Sequence, residues 1–183
     1  MSTVMPTLKL TYEDYLYLPE DGKRHEIIDG EHYVTPSPTT KHQTVVSNLH
    51  FLLRLFLRDR PHDRLWTAPF DVVLSEADVV QPDLVYVSGA RREIVNESNV
   101  KGAPDLLIEV LSPGNRRTDL VTKRHLYEKF CVAEYWVIDP EIETVQVHHL
   151  RDGRYHRHEL EKGSSLTSAL FPGLSLTLSE IFA

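Results

Sequence analysis

Two acidic side chains lie within short runs of branched apolar residues. Asp83 belongs to QPDLV at 81–85, and Glu109 belongs to DLLIEV at 105–110. Because an unpaired buried carboxylate is costly, a strand that carries one normally has a partner or a metal for it. Two adjacent strands would bring these carboxylates to one hard cation, which prefers oxygen ligands. The pair predicts a site for one hard divalent cation at Asp83 and Glu109, and the alternative is a carboxylate paired with an arginine.

A lysine on a predicted helix completes this set. At 100° per residue, one stripe of the segment 115–130 contains Arg116, Leu120, Lys123, Tyr127 and Phe130. Lys123 therefore lies on the apolar side of the helix, where its ammonium would offset the charge of the two carboxylates. The alternatives are that it extends past the edge of the core or pairs with Asp119, four residues earlier.

These residue types are suited to phosphodiester hydrolysis. A divalent metal polarises a phosphoryl oxygen and lowers the pKa of a bound water. A lysine at the site stabilises the developing charge or positions and deprotonates the water. Asp83, Glu109 and Lys123 are therefore the predicted catalytic residues.

The elements that position these residues follow from periodicity and turn signals. Thr11 predicts the N-cap of a short helix, and Asp29-Gly30 and Asp152-Gly153 predict two hairpins. Helical spacing predicts helices at 41–58 and 115–130. Strands are predicted at 65–68, 70–74, 83–87, 106–111 and 134–139, and a strand or helix at 176–182. The order predicts an α/β or α+β fold, a mixed β-sheet flanked by helices with additional hairpins.

The helix predicted at 41–58 has apolar residues on two sides. Its core-facing stripe consists of Val45, Val46, Leu49, Leu52, Leu53 and Phe56. Phe51 and Leu55 fall on the opposite side, where they predict a contact between two copies of the chain, a homodimer. His42 lies in line with the core stripe, which favours a satisfied, partly buried histidine over a metal ligand.

The bulk properties predict one domain spanning residues 1–183 in the cytoplasm. The chain has 183 residues, 41% of them hydrophobic, enough to bury a core without disulfides. The only cysteine, Cys131, is predicted to be in the core and fits a reducing compartment. Met1–Pro6 lacks the pattern of a signal peptide, and no apolar run is long enough to span a membrane. A net charge of −7 argues against a general nucleic-acid coat protein but not against a nuclease with an acidic site.

Several ordered motifs resemble a known family. They are HEIIDGE (25–31), His42, QPDLV (81–85), APDLLIEVLSP (103–113), Asp119, Lys123, Tyr127 and EYWVIDP (134–140). Together, over about 12–140, they are similar to the PD-(D/E)XK nuclease superfamily and, more closely, to its Uma-type bacterial family described as "putative restriction endonuclease". The superfamily pattern has a lysine two residues after the acidic one, where this chain has Leu111. In families of this kind the lysine can lie on the following helix, which Lys123 would match.

The resemblance implies a restriction-endonuclease-like fold, a divalent metal (Mg²⁺ or Mn²⁺) and DNA as substrate. The lack of a long apolar run predicts no membrane partner. It also implies Glu26 as an additional acidic member of the site, the alternative being an ordinary exposed hairpin residue. Two other functions stay open. One is a nuclease-fold module that binds nucleic acid or protein without turnover, and the other is a dimeric scaffold whose carboxylates are paired structurally.

Overall fold

The computed structural model describes residues 9–183; Met1–Pro6, with the signal-peptide interpretation, lies outside them. The strands are β1 (Arg24–Ile28), β2 (Glu31–Thr35), β3 (Arg64–Thr67), β4 (Asp71–Ser75), β5 (Asp78–Val80), β6 (Leu84–Val87), β7 (Asn99–Lys101), β8 (Leu106–Val110), β9 (Glu134–Asp139), β10 (Thr144–Arg151), β11 (Arg154–Leu160), β12 (Ser165–Leu166) and β13 (Leu176–Thr177). The helices are α1 (Tyr12–Tyr15), α2 (Thr40–Phe56), α3 (Arg124–Lys129) and α4 (Leu178–Ile181). A π-helical turn (Thr118–Lys123) leads into α3, and two 3₁₀ turns span Leu57–Asp59 and Gly89–Ile94.

Two mixed sheets form the framework. The larger sheet has the strand order β11-β10-β9-β8-β6-β3, and the smaller one has the order β2-β1-β5-β4-β7. The pairs β8–β9 and β4–β7 are parallel, whereas the other pairs in these two sheets are antiparallel. Strands β12 and β13 form a separate antiparallel pair. The predicted fold class, mixed sheets flanked by helices, is confirmed.

Strand β8 is buried on both faces because a helix covers each of them. Leu106 and Ile108 share an apolar cluster with Leu49 and Leu53 of α2. On the other face, the alternate residue Leu107 belongs to a second cluster, which includes Leu126, Tyr127 and Tyr135. Since side chains alternate along a strand, Glu109 projects toward this second face.

The hairpins and helix starts form where their turn and capping residues predict them. Asp29 and Gly30 both adopt positive φ, as do Asp152 and Gly153, which is the conformation that a two-residue turn with right-handed twist requires. Thr11 caps α1 in a reciprocal capping box with Asp14. The Thr39 hydroxyl accepts a hydrogen bond from the backbone of His42 and so begins α2.

Three expectations need correction. The helix predicted at 115–130 is interrupted, because residues 118–123 widen into a π turn before α3 begins. The short strands β5 and β7 were not predicted, since three residues are too few to show a period. Cys131 is exposed rather than in the core. It takes the left-handed conformation, with φ of 57°, just after α3 ends and therefore leaves the helix's apolar face.

None of the helices described between residues 9 and 183 combines the length and the apolar character needed to cross a bilayer.

Candidate metal and catalytic site

Asp83 and Glu109 are brought together by the pairing of β6 with β8. Leu84 lies opposite Ile108 in this antiparallel pair, so the register places Asp83, just before β6, opposite Glu109. The backbone N–H of Val110 donates to Oδ2 of Asp83 at 2.8 Å. Opposed residues of an antiparallel pair project to the same face, and the two carboxylates are therefore neighbours.

Asp83 is buried and held by two basic side chains. Arg24 of β1 donates through Nη1 to Oδ1 at 2.7 Å, and Nε2 of His42 lies 3.0 Å from Oδ2. Burial raises the pKa of the Asp83 carboxyl, but the hydrogen bond from His42 and the charge of Arg24 outweigh it. Its pKa is consequently below the ordinary value, and Asp83 is ionised at neutral pH.

Lys123 lies at the centre of three buried carboxylates. Its Nζ atom is 2.9 Å from Oε1 of Glu109, 2.9 Å from Oε1 of Glu26 and 3.5 Å from Oδ1 of Asp119. All four side chains are at most 3% exposed. Lys123 thus contacts Glu109 and Asp119 together, and it does not extend into solvent. Glu26 is likewise buried, so the interpretation of Glu26 as an exposed hairpin residue is wrong.

The cluster shifts the proton affinities of its own members. Burial raises the pKa of Glu109 well above its ordinary value and raises that of Asp119 to about 6. For Lys123, burial lowers the pKa, but the charges of Glu109, Glu26 and Asp119 outweigh this effect and hold it well above the ordinary value. The ammonium therefore stays charged at neutral pH.

Two tyrosines fix the helical side of the cluster. The hydroxyl of Tyr127 donates to Oε1 of Glu109 at 3.1 Å, and that of Tyr135 donates to the backbone carbonyl of Asp119 at 3.0 Å. The carbonyl that accepts from Tyr135 belongs to the π turn. This wider turn is a feature often found at functional sites, and Asp119 and Lys123 are both buried within it.

An open cavity of about 300 Å³ adjoins Asp83. Its lining is Gly22, Lys23, Arg24, Thr35, Pro36, Ser37, Pro38, His42, Gln43, Val46, Ala68, Pro69 and Asp83. Glu109 and Lys123 do not line it. A molecule in the cavity would therefore meet Asp83, with Arg24 and His42 beside it, before the deeper Glu109 and Lys123.

The donor set fits a hard divalent cation. The cluster contains four buried carboxylates and only two side-chain cations. The carboxylates are Glu26, Asp83, Glu109 and Asp119, and the cations are Arg24 and Lys123. If all four carboxylates are ionised and His42 is neutral, the formal charge of the cluster is −2. Carboxylate oxygens are the ligands that Mg²⁺ and Mn²⁺ prefer. Within residues 9–183, however, no three His, Cys, Asp or Glu side chains are already arranged to hold a metal. The carboxylates that would hold one are instead bound by Arg24 and Lys123.

Arg24 is the residue that the sequence analysis missed. It precedes Glu26 by two positions on β1, and alternation alone would place the two side chains on one face. His42 was predicted to be satisfied and partly buried. It is 3% exposed and bound to Asp83 through Nε2, but its Nδ1 has no hydrogen-bond partner among the described residues.

Comparisons with known proteins identify the family of the chain and a solved structure with a similar fold. Residues 12–179 match the model of the family described as "Uma2: Putative restriction endonuclease". A crystal structure from Anabaena variabilis ATCC 29413, described as "a putative nuclease belonging to DUF820", matches with a TM-score of 0.80 and 21% identity. The match covers 94% of this chain and 97% of that one, and it shows a shared fold. No curated protein matches the chain. Because the family model spans nearly all of the sequence, the chain belongs to the Uma2 family, "Putative restriction endonuclease".

Proposed function

We propose that this protein is a metal-dependent endonuclease that hydrolyses phosphodiester bonds of DNA. In this proposal Asp83 and Glu109 hold Mg²⁺ or Mn²⁺, and Lys123 is the catalytic cation. The observation that carries it is the buried cluster of four carboxylates with only two side-chain cations among them, adjoining an open cavity. Membership of the Uma2 family supports a nuclease.

The metal would supply Lewis acidity toward a phosphoryl oxygen and would lower the pKa of a water molecule. Asp83 is suited to hold it because its pKa is low and its carboxylate reaches the cavity. Glu109 would contribute the second ligand from the neighbouring strand. The raised pKa of Glu109 means that binding of a cation would compete with a proton there.

Lys123 would serve as a fixed positive charge rather than as a base. Its raised pKa keeps the proton on Nζ, so the ammonium would stabilise negative charge that develops on the phosphate. Leu111 occupies the position at which the superfamily pattern has its lysine. The 2.9 Å contact between Nζ of Lys123 and Glu109 supports the view that the helix supplies this charge instead.

The test is a pair of measurements on wild-type protein and Asp83→Asn. Titration with Mn²⁺ by calorimetry is expected to show binding that weakens by at least about tenfold in the variant. Cleavage of plasmid DNA in Mg²⁺ or Mn²⁺ is expected to fall by about a hundredfold. Both losses follow from removing the one carboxylate that both lines the cavity and lies opposite Glu109.

Asp105→Asn is the matched control. Asp105 is also largely buried and paired with an arginine, Arg91, but it precedes the other end of β8, about 13 Å along the strand from Glu109. Metal binding and cleavage should persist in this variant. Wild-type protein that fails to bind Mn²⁺ would contradict the proposal. Asp83-dependent binding without cleavage of any DNA would instead favour a nuclease-fold module without turnover.

A further inference from the structure

The two oxygens of Asp83 are used differently. Oδ2 accepts two hydrogen bonds, from His42 at 3.0 Å and from the backbone of Val110 at 2.8 Å. Oδ1 accepts from Arg24 at 2.7 Å, and from no other group among residues 9–183. A cation that binds Asp83 would therefore use Oδ1, and it would meet the guanidinium already there.

A divalent cation and a guanidinium that both bind this oxygen would repel each other. Two like charges separated by about 4 Å repel strongly where the surroundings are only partly hydrated. Arg24 is also held on the carboxylate side by the neighbouring charges of Glu109 and Glu26. Metal binding at Asp83 thus requires Arg24 to move.

Arg24 has somewhere to move. Its side chain is 19% exposed and lines the cavity, and its other hydrogen bond, to the carbonyl of Gln81, is long at 3.3 Å. Lys123 has no such freedom, because its side chain is 3% exposed and contacts three carboxylates. A guanidinium released into the cavity presents a planar fork of N–H groups that fits a phosphate group.

We propose that Arg24 occupies the metal-binding oxygen of Asp83 in the metal-free protein and transfers to a phosphate of the substrate when metal binds. This inference rests on the proposed function, because it takes Asp83 as a metal ligand. It makes Arg24 a positioning residue that couples the arrival of the metal to the recognition of phosphate. The phosphate would then bind in the cavity beside Asp83.

The first experiment measures the affinity for Mn²⁺ of wild-type protein, Arg24→Gln and Arg24→Lys by calorimetry. Removing a competing cation should tighten binding in Arg24→Gln by at least about fivefold, the lower end of typical coupling between two sites. Arg24→Lys keeps a positive charge near Oδ1 and should stay close to wild type. If Arg24 merely supported the fold of the site, its loss would weaken metal binding instead.

The second experiment measures binding of inorganic phosphate in saturating Mg²⁺. Arg24→Gln should bind phosphate at least about fivefold more weakly than wild-type protein, since the guanidinium that would receive it is gone. The two effects have opposite signs in one variant, and a general loss of structure cannot produce that pattern.

Lys23→Gln is the matched control for loss of a nearby positive charge. Lys23 also lines the cavity, but it is exposed and paired with Asp21 at 3.0 Å. Its metal affinity should match that of wild type. Equal Mn²⁺ affinity in wild type and Arg24→Gln, with Asp83 still required, would overturn the inference alone. Absence of Mn²⁺ binding in all variants would overturn the proposed function and the inference with it.

Discussion

Lys123 is the cation that three buried carboxylates of the site share. Its ammonium lies within 3.5 Å of three carboxylates that are themselves almost completely buried. Each of those carboxylates would be expensive to bury with no opposite charge near it. A single lysine therefore makes the burial of Glu26, Glu109 and Asp119 possible, independently of any role in catalysis.

Replacing Lys123 by methionine is expected to destabilise the metal-free protein by about 3–5 kcal/mol. The size of this loss reflects three carboxylates left without their cation in a buried place. Urea unfolding at pH 7 measures it. Lys129→Met is the control, because Lys129 is largely exposed and lies 3.7 Å from its partner Asp78, so its loss should cost less than about 1 kcal/mol.

The loss of stability in Lys123→Met, measured against wild type, should be smaller in acid than at neutral pH. Burial already raises the pKa of Asp119 to about 6 and that of Glu109 well above its ordinary value, and losing Lys123 would raise both further. A carboxyl with a raised pKa binds more protons in the folded state, so stability falls as pH rises through the window between the ordinary and raised values. Unfolding measured from pH 5 to pH 8 should therefore show stability of Lys123→Met declining with pH. A cost at pH 5 as large as that at pH 8 would contradict this explanation.

At the scale of elements, the hairpins, the long helix and the buried strands were predictable because each has a local signal. Asp29-Gly30 specifies a turn, and helical spacing specifies α2. The strand period also gives the face of Glu109 correctly. The π turn at 118–123 has no comparable local signal in the sequence. Arg24 was missed because its importance depends on β1 approaching Asp83, a contact between residues far apart in sequence.

The hairpin that carries Arg24 and Glu26 offers a matched test of turn geometry. Gly30 and Gly153 have nearly equal φ angles, 75° and 73°, so alanine at either position should cost about 1–2 kcal/mol through backbone strain. At Gly30 an added Cβ would also lie 2.5 Å from Cβ of Lys9, whereas Gly153 has nothing within 4 Å. Thermal unfolding should show Gly30→Ala to be the more destabilised variant, by at least about 1 kcal/mol. Equal losses of stability in Gly30→Ala and Gly153→Ala would mean that Lys9 moves away from the added Cβ at negligible cost.

At the scale of the whole molecule, α2 presents one face to the core and another to solvent. Leu49 and Leu53 are fully buried, whereas Phe51 and Leu55, one turn apart, are 65% and 50% exposed. Exposed aromatic and aliphatic residues on a helix face are suited to association. This pattern supports the proposal that two copies of the chain form a homodimer through α2.

Phe51→Glu is expected to weaken this dimer by about thirtyfold or more, because a charge replaces a large apolar side chain at the interface. Sedimentation equilibrium over a range of protein concentrations measures the change. Ile142→Glu, at another exposed apolar residue (61%), removes similar surface outside α2 and should leave the dimer intact. A wild-type protein that sediments as a monomer at every concentration would disprove the association.

The separation of Lys123 from the strand of Glu109 has a consequence for how the molecule opens. With lysine at position 111, directly after β8, acid and cation would lie on the same segment, and the helix could leave without separating them. Here departure of the π turn and α3 would leave Glu26 and Glu109 facing no ammonium. Partial opening of that helix would therefore expose the cost of two buried carboxylates without their lysine, and we expect the helix and the strands of Glu26 and Glu109 to exchange their amide hydrogens as one cooperative unit.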